Sequence, residues 1–215
     1  MRKIIFVITC ILASFYAHGQ FYLGPQGGYN FSSVFFSGDM RVPVDVDMAK
    51  NNILGLAFSY IPENKKPGVL LLANYLDNGF VEIQGDTGRV TYSQKGLNMQ
   101  FLSHLYLQFG KIRPFVNMGP GVGYYSNISS EGSSNLLPPF THHWVKMFYL
   151  ELTGGGGITY SSKIGDFSVF SYYSLSTLKV YRHVSWNSNP FAIRAGVSYQ
   201  IPLSKRAKPS GADTL

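Results

Sequence analysis

The chain has 215 residues, a single cysteine, 23 glycines, 13% charged and 15% aromatic residues, and a formal charge of +7. So little charge beside so much aromatic and glycine content is unusual for a soluble domain of this length, and one cysteine excludes internal disulfides and multi-thiolate metal sites. The basic excess is modest and does not cluster into a nucleic-acid-binding face, so no nucleic-acid partner is expected.

At the N-terminus, Arg2 and Lys3 precede an apolar run over residues 4–15, and Ala17-His18-Gly19 supplies small residues at the positions a signal peptidase reads. Residues 1–19 therefore read as a cleaved signal, 20–203 as the folded body and 204–215 as a polar tail. A lipoprotein signal through Cys10 is the alternative, but Thr9 is a poor residue before a lipobox cysteine and Cys10 lies inside the apolar run. That run is also shorter than the ~20 residues a membrane helix needs. Removing Arg2 and Lys3 from the 18 basic residues leaves 16 against 11 acidic ones, about +5, and no cysteine.

Period-two alternation predicts strands near 21–35, 53–61, 69–83, 90–109, 112–126, 147–161, 167–180 and 190–202. Connections alternate in length: 63–68, 110–111 and 162–165 are short, while 37–52, 84–89, 127–146 and 181–189 are mostly longer. Eight strands with alternating short turns and long loops, and almost no charge in the strands, predict an all-β fold: an eight-stranded antiparallel up-and-down transmembrane barrel with a side-chain-filled lumen. In a bacterial outer membrane the short turns and both termini would be periplasmic.

The clearest element is a hairpin from Leu97 to Tyr125. Leu97, Met99, Phe101, Leu105 and Leu107 form an apolar row, Val116, Met118, Pro120, Val122 and Tyr124 a second, and Gly110-Lys111 a two-residue turn. That turn sets Asn98, Gln100 and Leu102 opposite Gly123, Gly121 and Gly119, and His104 opposite Asn117. Bulky inward residues then face glycines, as a crowded small barrel requires.

Glu151 and Arg194 are the charges expected well inside strands, both on the polar face and at similar depth. Eight strands bring opposite walls within side-chain reach, so a buried ion pair is expected, with His104, Asn117, Gln100 and Tyr172 as further polar partners. Such a pair serves as a structural plug or as part of a transport or binding path. The third and fourth strands exceed the ~9–11 residues of a span. Their extension over 80–92, carrying Phe80, Ile83, Val90 and Tyr92, either offers a docking surface or shields the barrel mouth. The loop over 127–146 adds Leu136, Leu137, Phe140 and Trp144 as candidate contact residues.

No catalytic residues, metal ligands or cofactors are expected. His142, His143 and His183 lie in loops near serines and could serve a lipid-modifying enzyme, but no spaced signature accompanies them and adjacent histidines point apart.

The signal ending at Gly19-Gln20, the first-strand glycines Gly24, Gly27 and Gly28, the Gln94-Lys95-Gly96 element, and Arg113-Pro114-Phe115-Val116 leading to Gly119-Pro120-Gly121-Val122 resemble the PorT-like outer-membrane β-barrel proteins of Bacteroidota. The resemblance implies outer-membrane lipid as surroundings, envelope proteins as partners and an accessory role in an assembly such as type IX secretion. A barrel binding a small apolar or lipid ligand is the alternative function, ahead of a lipid-modifying enzyme or narrow pore. Here Tyr199-Gln200-Ile201 precedes the polar tail, so the terminal-strand signal of many such barrels would be internal.

Overall fold

The computed structural model describes residues 19–38, 45–62, 67–84, 88–107, 110–132, 145–177 and 186–203. They form β1 (Gly19–Gly38), β2 (Asp45–Pro62), β3 (Gly68–Asp77), β4 (Phe80–Gln84), β5 (Gly88–Tyr106), β6 (Ile112–Glu131), β7 (Phe148–Ser161), β8 (Asp166–Ser176) and β9 (Trp186–Pro202). Every pairing is antiparallel, β3 and β4 both lie between β2 and β5, and β1 pairs with both β2 and β9, closing the sheet. β4 prolongs β3 past Asn78-Gly79 in unbroken register against β5, from Asp77 opposite Lys95 to Phe80 opposite Tyr92. The wall therefore has eight staves, and the architecture is the expected up-and-down barrel. The signal region 1–18, the loop residues Leu136, Leu137, Phe140, Trp144, His142, His143 and His183, and the tail 204–215 lie outside the described residues.

The register fixes the tilt. Starting at Phe21 and stepping through Tyr60, Val69, Ser103, Met118, Gly154, Tyr173 and Ile193, the ladder returns to β1 at Phe31, ten residues along. A stagger of that size around eight strands at a rise of ~3.3 Å and a spacing of ~4.8 Å tilts them by about 40°.

Outward residues are apolar: Leu54, Leu56, Leu97, Phe101, Leu107, Met118, Phe148, Leu152 and Ile158 are each at least half exposed. Water would not favour this surface; lipid does. Along β5 the row from Leu97 to Leu107 spans ten residues, about 25 Å of height at that tilt, the thickness of such a band. Outward Tyr29, Tyr124, Phe148 and Tyr173 lie toward its loop end, with Tyr124 and Phe148 in ring contact at 4.8 Å. Aromatic rings favour that level because one end is apolar and the other wet.

The Leu97–Tyr125 hairpin has the expected register, with Asn98 opposite Gly123, Gln100 opposite Gly121 and His104 opposite Asn117. Gly110 has φ +65°, the positive value that the first position of a type II′ turn demands. The long 37–52 connection is shorter than expected. Asp45–Met48 joins the sheet by pairing with β4, so β2 begins well before residue 53.

Candidate functional site

Glu151 and Arg194 meet across the lumen. Arg194 Nη1 and Nη2 donate to Glu151 Oε1 and Oε2, each at 2.9 Å, a two-pronged pair between groups almost wholly removed from solvent. Glu151 Oε1 also accepts from Gln100 Nε2 at 2.6 Å and Asn98 Nδ2 at 3.1 Å. Thr153 Oγ1 donates to the same oxygen at 3.3 Å and lies 2.7 Å from Ser174 Oγ. Alternation produces this convergence: β5, β7 and β9 each turn every second side chain inward, and Gly121 opposite Glu151 and Gln100 leaves them room.

The pair lies between two apolar layers. Toward the short turns, Ala57, Leu70, Leu72, Leu102, Phe115, Phe170 and Tyr172 pack together. Gly155 and Gly157 make space there for the rings of Tyr172 and Phe115. Toward the long loops, Val34, Phe80, Val90, Tyr92, Tyr125, Ile128, Val145 and Tyr149 form the other layer. Gln100 joins the ion pair as expected, but three other expected partners do not. His104 contacts the rings of Tyr106 (4.0 Å) and Phe115 (5.0 Å), and Asn117 Nδ2 donates to Tyr172 Oη at 3.0 Å. They form a separate group in the turn-side layer, because Arg194 reaches along the barrel toward β7 rather than across to β5.

The extension over 80–92 corrects the docking-surface expectation. Phe80, Val90 and Tyr92 are buried, with Phe80 and Tyr92 stacked at 4.5 Å, and Ile83 is half-buried. The inward parity of β3 continues through β4, so Phe80, Val90 and Tyr92 fill the mouth, while Ile83 has the outward parity, opposite Arg89 and Asp45. Two acids also escaped the sequence reading. Glu82 is fully buried and accepts from Tyr92 Oη at 2.6 Å, while Asp77 accepts from Ser93 Oγ at 2.6 Å and Gln94 N at 2.8 Å. A second, partly buried pair, Arg113 with Asp166, closes the turn end. Its members stand at strand starts beside turns, where charge ordinarily signals exposure; the inward parity of Phe115, Asn117 and Ser168 was the available clue. The polar belt also includes Asn78, whose side chain donates to Tyr149 Oη at 3.3 Å and Tyr125 Oη at 3.4 Å, and accepts from Asn30 at 2.9 Å.

Little free space remains among these side chains. Gaps beside the Arg194–Glu151 pair and beside His104 each leave about 10 Å³ for the centre of a water molecule. That is near the minimum for a single water. In a planar bilayer the purified barrel is therefore expected to pass no steady ion current. A persistent single-channel conductance would show that the layers part.

No family model matches the sequence, and none of the curated proteins matches it. Among solved structures, Neisserial surface protein A is similar at 11% identity and a TM-score of 0.44, over 83% of this chain and 96% of that one. Outer Membrane Protein W of E. coli is similar at 17% identity and a TM-score of 0.42, over 86% and 98%. The attachment invasion locus protein of Yersinia pestis is similar at 15% identity and a TM-score of 0.41, over 86% and 99%.

Proposed function

We propose that this chain is an integral outer-membrane barrel acting as an accessory or interaction subunit of a cell-envelope assembly, with its short turns and both termini in the periplasm. The filled lumen carries this reading. An ionic layer held between two apolar ones leaves no path for a general solute, so the work falls to the loop end and the outer surface. The loop-end wall is also built up, since β6 runs on to Glu131 paired with β5 after its last partner in β7, Phe148. The resemblance to PorT-like barrels favours a secretion-related assembly.

The test is mild detergent extraction from native membranes, then size-exclusion chromatography and mass spectrometry of the material that travels with the barrel. A stoichiometric protein partner is expected. Elution alone as a barrel-sized particle would overturn the subunit reading and bring forward a barrel that binds a small apolar or lipid ligand. Catalysis is not part of the proposal; unchanged lipid A profiles with and without the protein are expected, and an altered profile would contradict it.

A further inference from the structure

The lipid-facing surface is free of charge through the apolar band, yet just above it on the loop side two lysines bracket one strand. Lys95 on β5 is exposed and points outward, continuing the row of Leu97 and Met99. It lies opposite Asn127, where the β5–β6 register shifts by one residue and Ser126 becomes the extra residue of a bulge. On the other flank, Tyr125 N donates to Met147 O at 2.8 Å, which continues the β6–β7 ladder one step past Tyr124 opposite Phe148 and sets Lys146 beside Ser126. Val145 is fully buried and Met147 packs on the loop-side core, so Lys146, between them, faces out as Phe148 does.

The two lysines thus rise from strands on either side of β6, two strand spacings or about 10 Å apart at the backbone. Exposed Ser126 and Asn127 lie between them. Directly below are Leu97, Tyr124 and Phe148, which are 61%, 41% and 66% exposed. Neither lysine has an ion pair among the described residues. Asp77 stands across from Lys95, but its two carboxylate oxygens already accept from Ser93 and the Gln94 amide. Glu131 lies farther up β6, opposite Thr91. Flexible ammonium groups set over an apolar, aromatic surface match one kind of occupant: a phosphate carried on acyl chains.

We infer that Lys95 and Lys146, with Ser126 and Asn127 between them, form a clamp for the phosphate of a phosphorylated lipid whose acyl chains lie against Leu97, Tyr124 and Phe148. The bulge has a role in this arrangement. It adds a polar residue at headgroup depth and lets β6 present both Ser126 and Asn127 outward. The choice of lipid A as probe rests on the reading that the loop end lies in the outer leaflet. The binding itself can be measured in detergent, where neither orientation nor any partner protein enters.

The experiment is native mass spectrometry of the full-length barrel titrated with lipid A carrying its phosphates and with the same lipid after their removal. The wild type is expected to retain phosphorylated lipid at least tenfold more strongly than the dephosphorylated form. K95Q/K146Q should abolish that preference, while K111Q/K163Q, at the opposite end, should keep it. Lys95, Lys111 and Lys163 are exposed and Lys146 is half-buried, and heat-modifiable migration on a gel checks that each variant is folded. Millimolar inorganic phosphate is expected not to displace the lipid, since the apolar half of the site contributes to holding it. Equal retention of the two lipids, a K95Q/K146Q variant that keeps the preference, an equal loss in K111Q/K163Q, or displacement by inorganic phosphate would each overturn the clamp.

Discussion

Arg194→Gln is expected to lower the unfolding free energy of the barrel by about 3–5 kcal/mol, the cost of removing one partner from a buried ion pair. Glu151 would keep its bonds from Gln100, Asn98 and Thr153, so its carboxylate would retain neutral donors but lose its counter-charge. Glu151→Gln should cost a similar amount, because it leaves the guanidinium buried without an anion. The double variant should be less destabilised than the two losses added together, since it leaves no charge unmatched. Urea titration of the barrel folded in lipid vesicles, read from heat-modifiable migration, gives all three values. Strictly additive losses would mean that the two groups do not act as a pair.

The second large effect is expected at a glycine. A Cβ added at Gly123 would lie 2.0 Å from Cζ and 2.2 Å from Cε1 of Tyr149. The ring is held in place, stacked on Tyr125 at 4.6 Å and hydrogen-bonded through its hydroxyl by Asn98 at 3.1 Å and Asn78 at 3.3 Å. It cannot swing away without releasing both amides, so Gly123→Ala should destabilise by about 1–3 kcal/mol, the usual cost of overpacking. Gly110→Ala has open space around it and should show only the smaller backbone strain of a positive φ. If the clash is the cause, Gly123→Ala should cost much less in a Tyr149→Ala background than in the wild type. A neutral Gly123→Ala, measured in the same titration, would contradict the packing described for the loop-side layer.

The pairing of bulky inward side chains with glycines was legible in the sequence. Alternation in the Leu97–Tyr125 hairpin and a single two-residue turn were enough to set Asn98 against Gly123 and Gln100 against Gly121. Period two also brought Glu151 and Arg194 into one lumen, because an eight-stranded wall leaves a charge nowhere else to find a partner. What alternation cannot convey is reach. Arg194 shares a register row with Tyr172, yet its long side chain bonds Glu151, so Asn117 and His104 were assigned to the wrong layer. Burial beyond the membrane was equally hidden. The length of the third and fourth strands left open whether their extension offers a docking surface or shields the mouth, and Asp45–Met48 pairs with β4 while Phe80, Val90 and Tyr92 are core. Arg113 and Asp166 stand beside turns, where charge ordinarily signals exposure, a rule about chain position that the inward face of a tilted strand overrides.

The uneven strand lengths have a consequence of their own. β8 ends at Ser176 and β7 begins at Phe148, whereas β6 continues seven residues beyond Tyr124, the partner of Phe148, and β1, β2 and β5 are also long. Seven residues at the strand tilt amount to roughly 18 Å of height. Among the described residues, the strands of β7 and β8 end near the headgroups, while β1, β2, β5 and β6 carry hydrogen-bonded strand well above them. Rotation about the membrane normal, which is immaterial for a symmetric tube, becomes for this barrel a coordinate that any close packing in the bilayer has to choose.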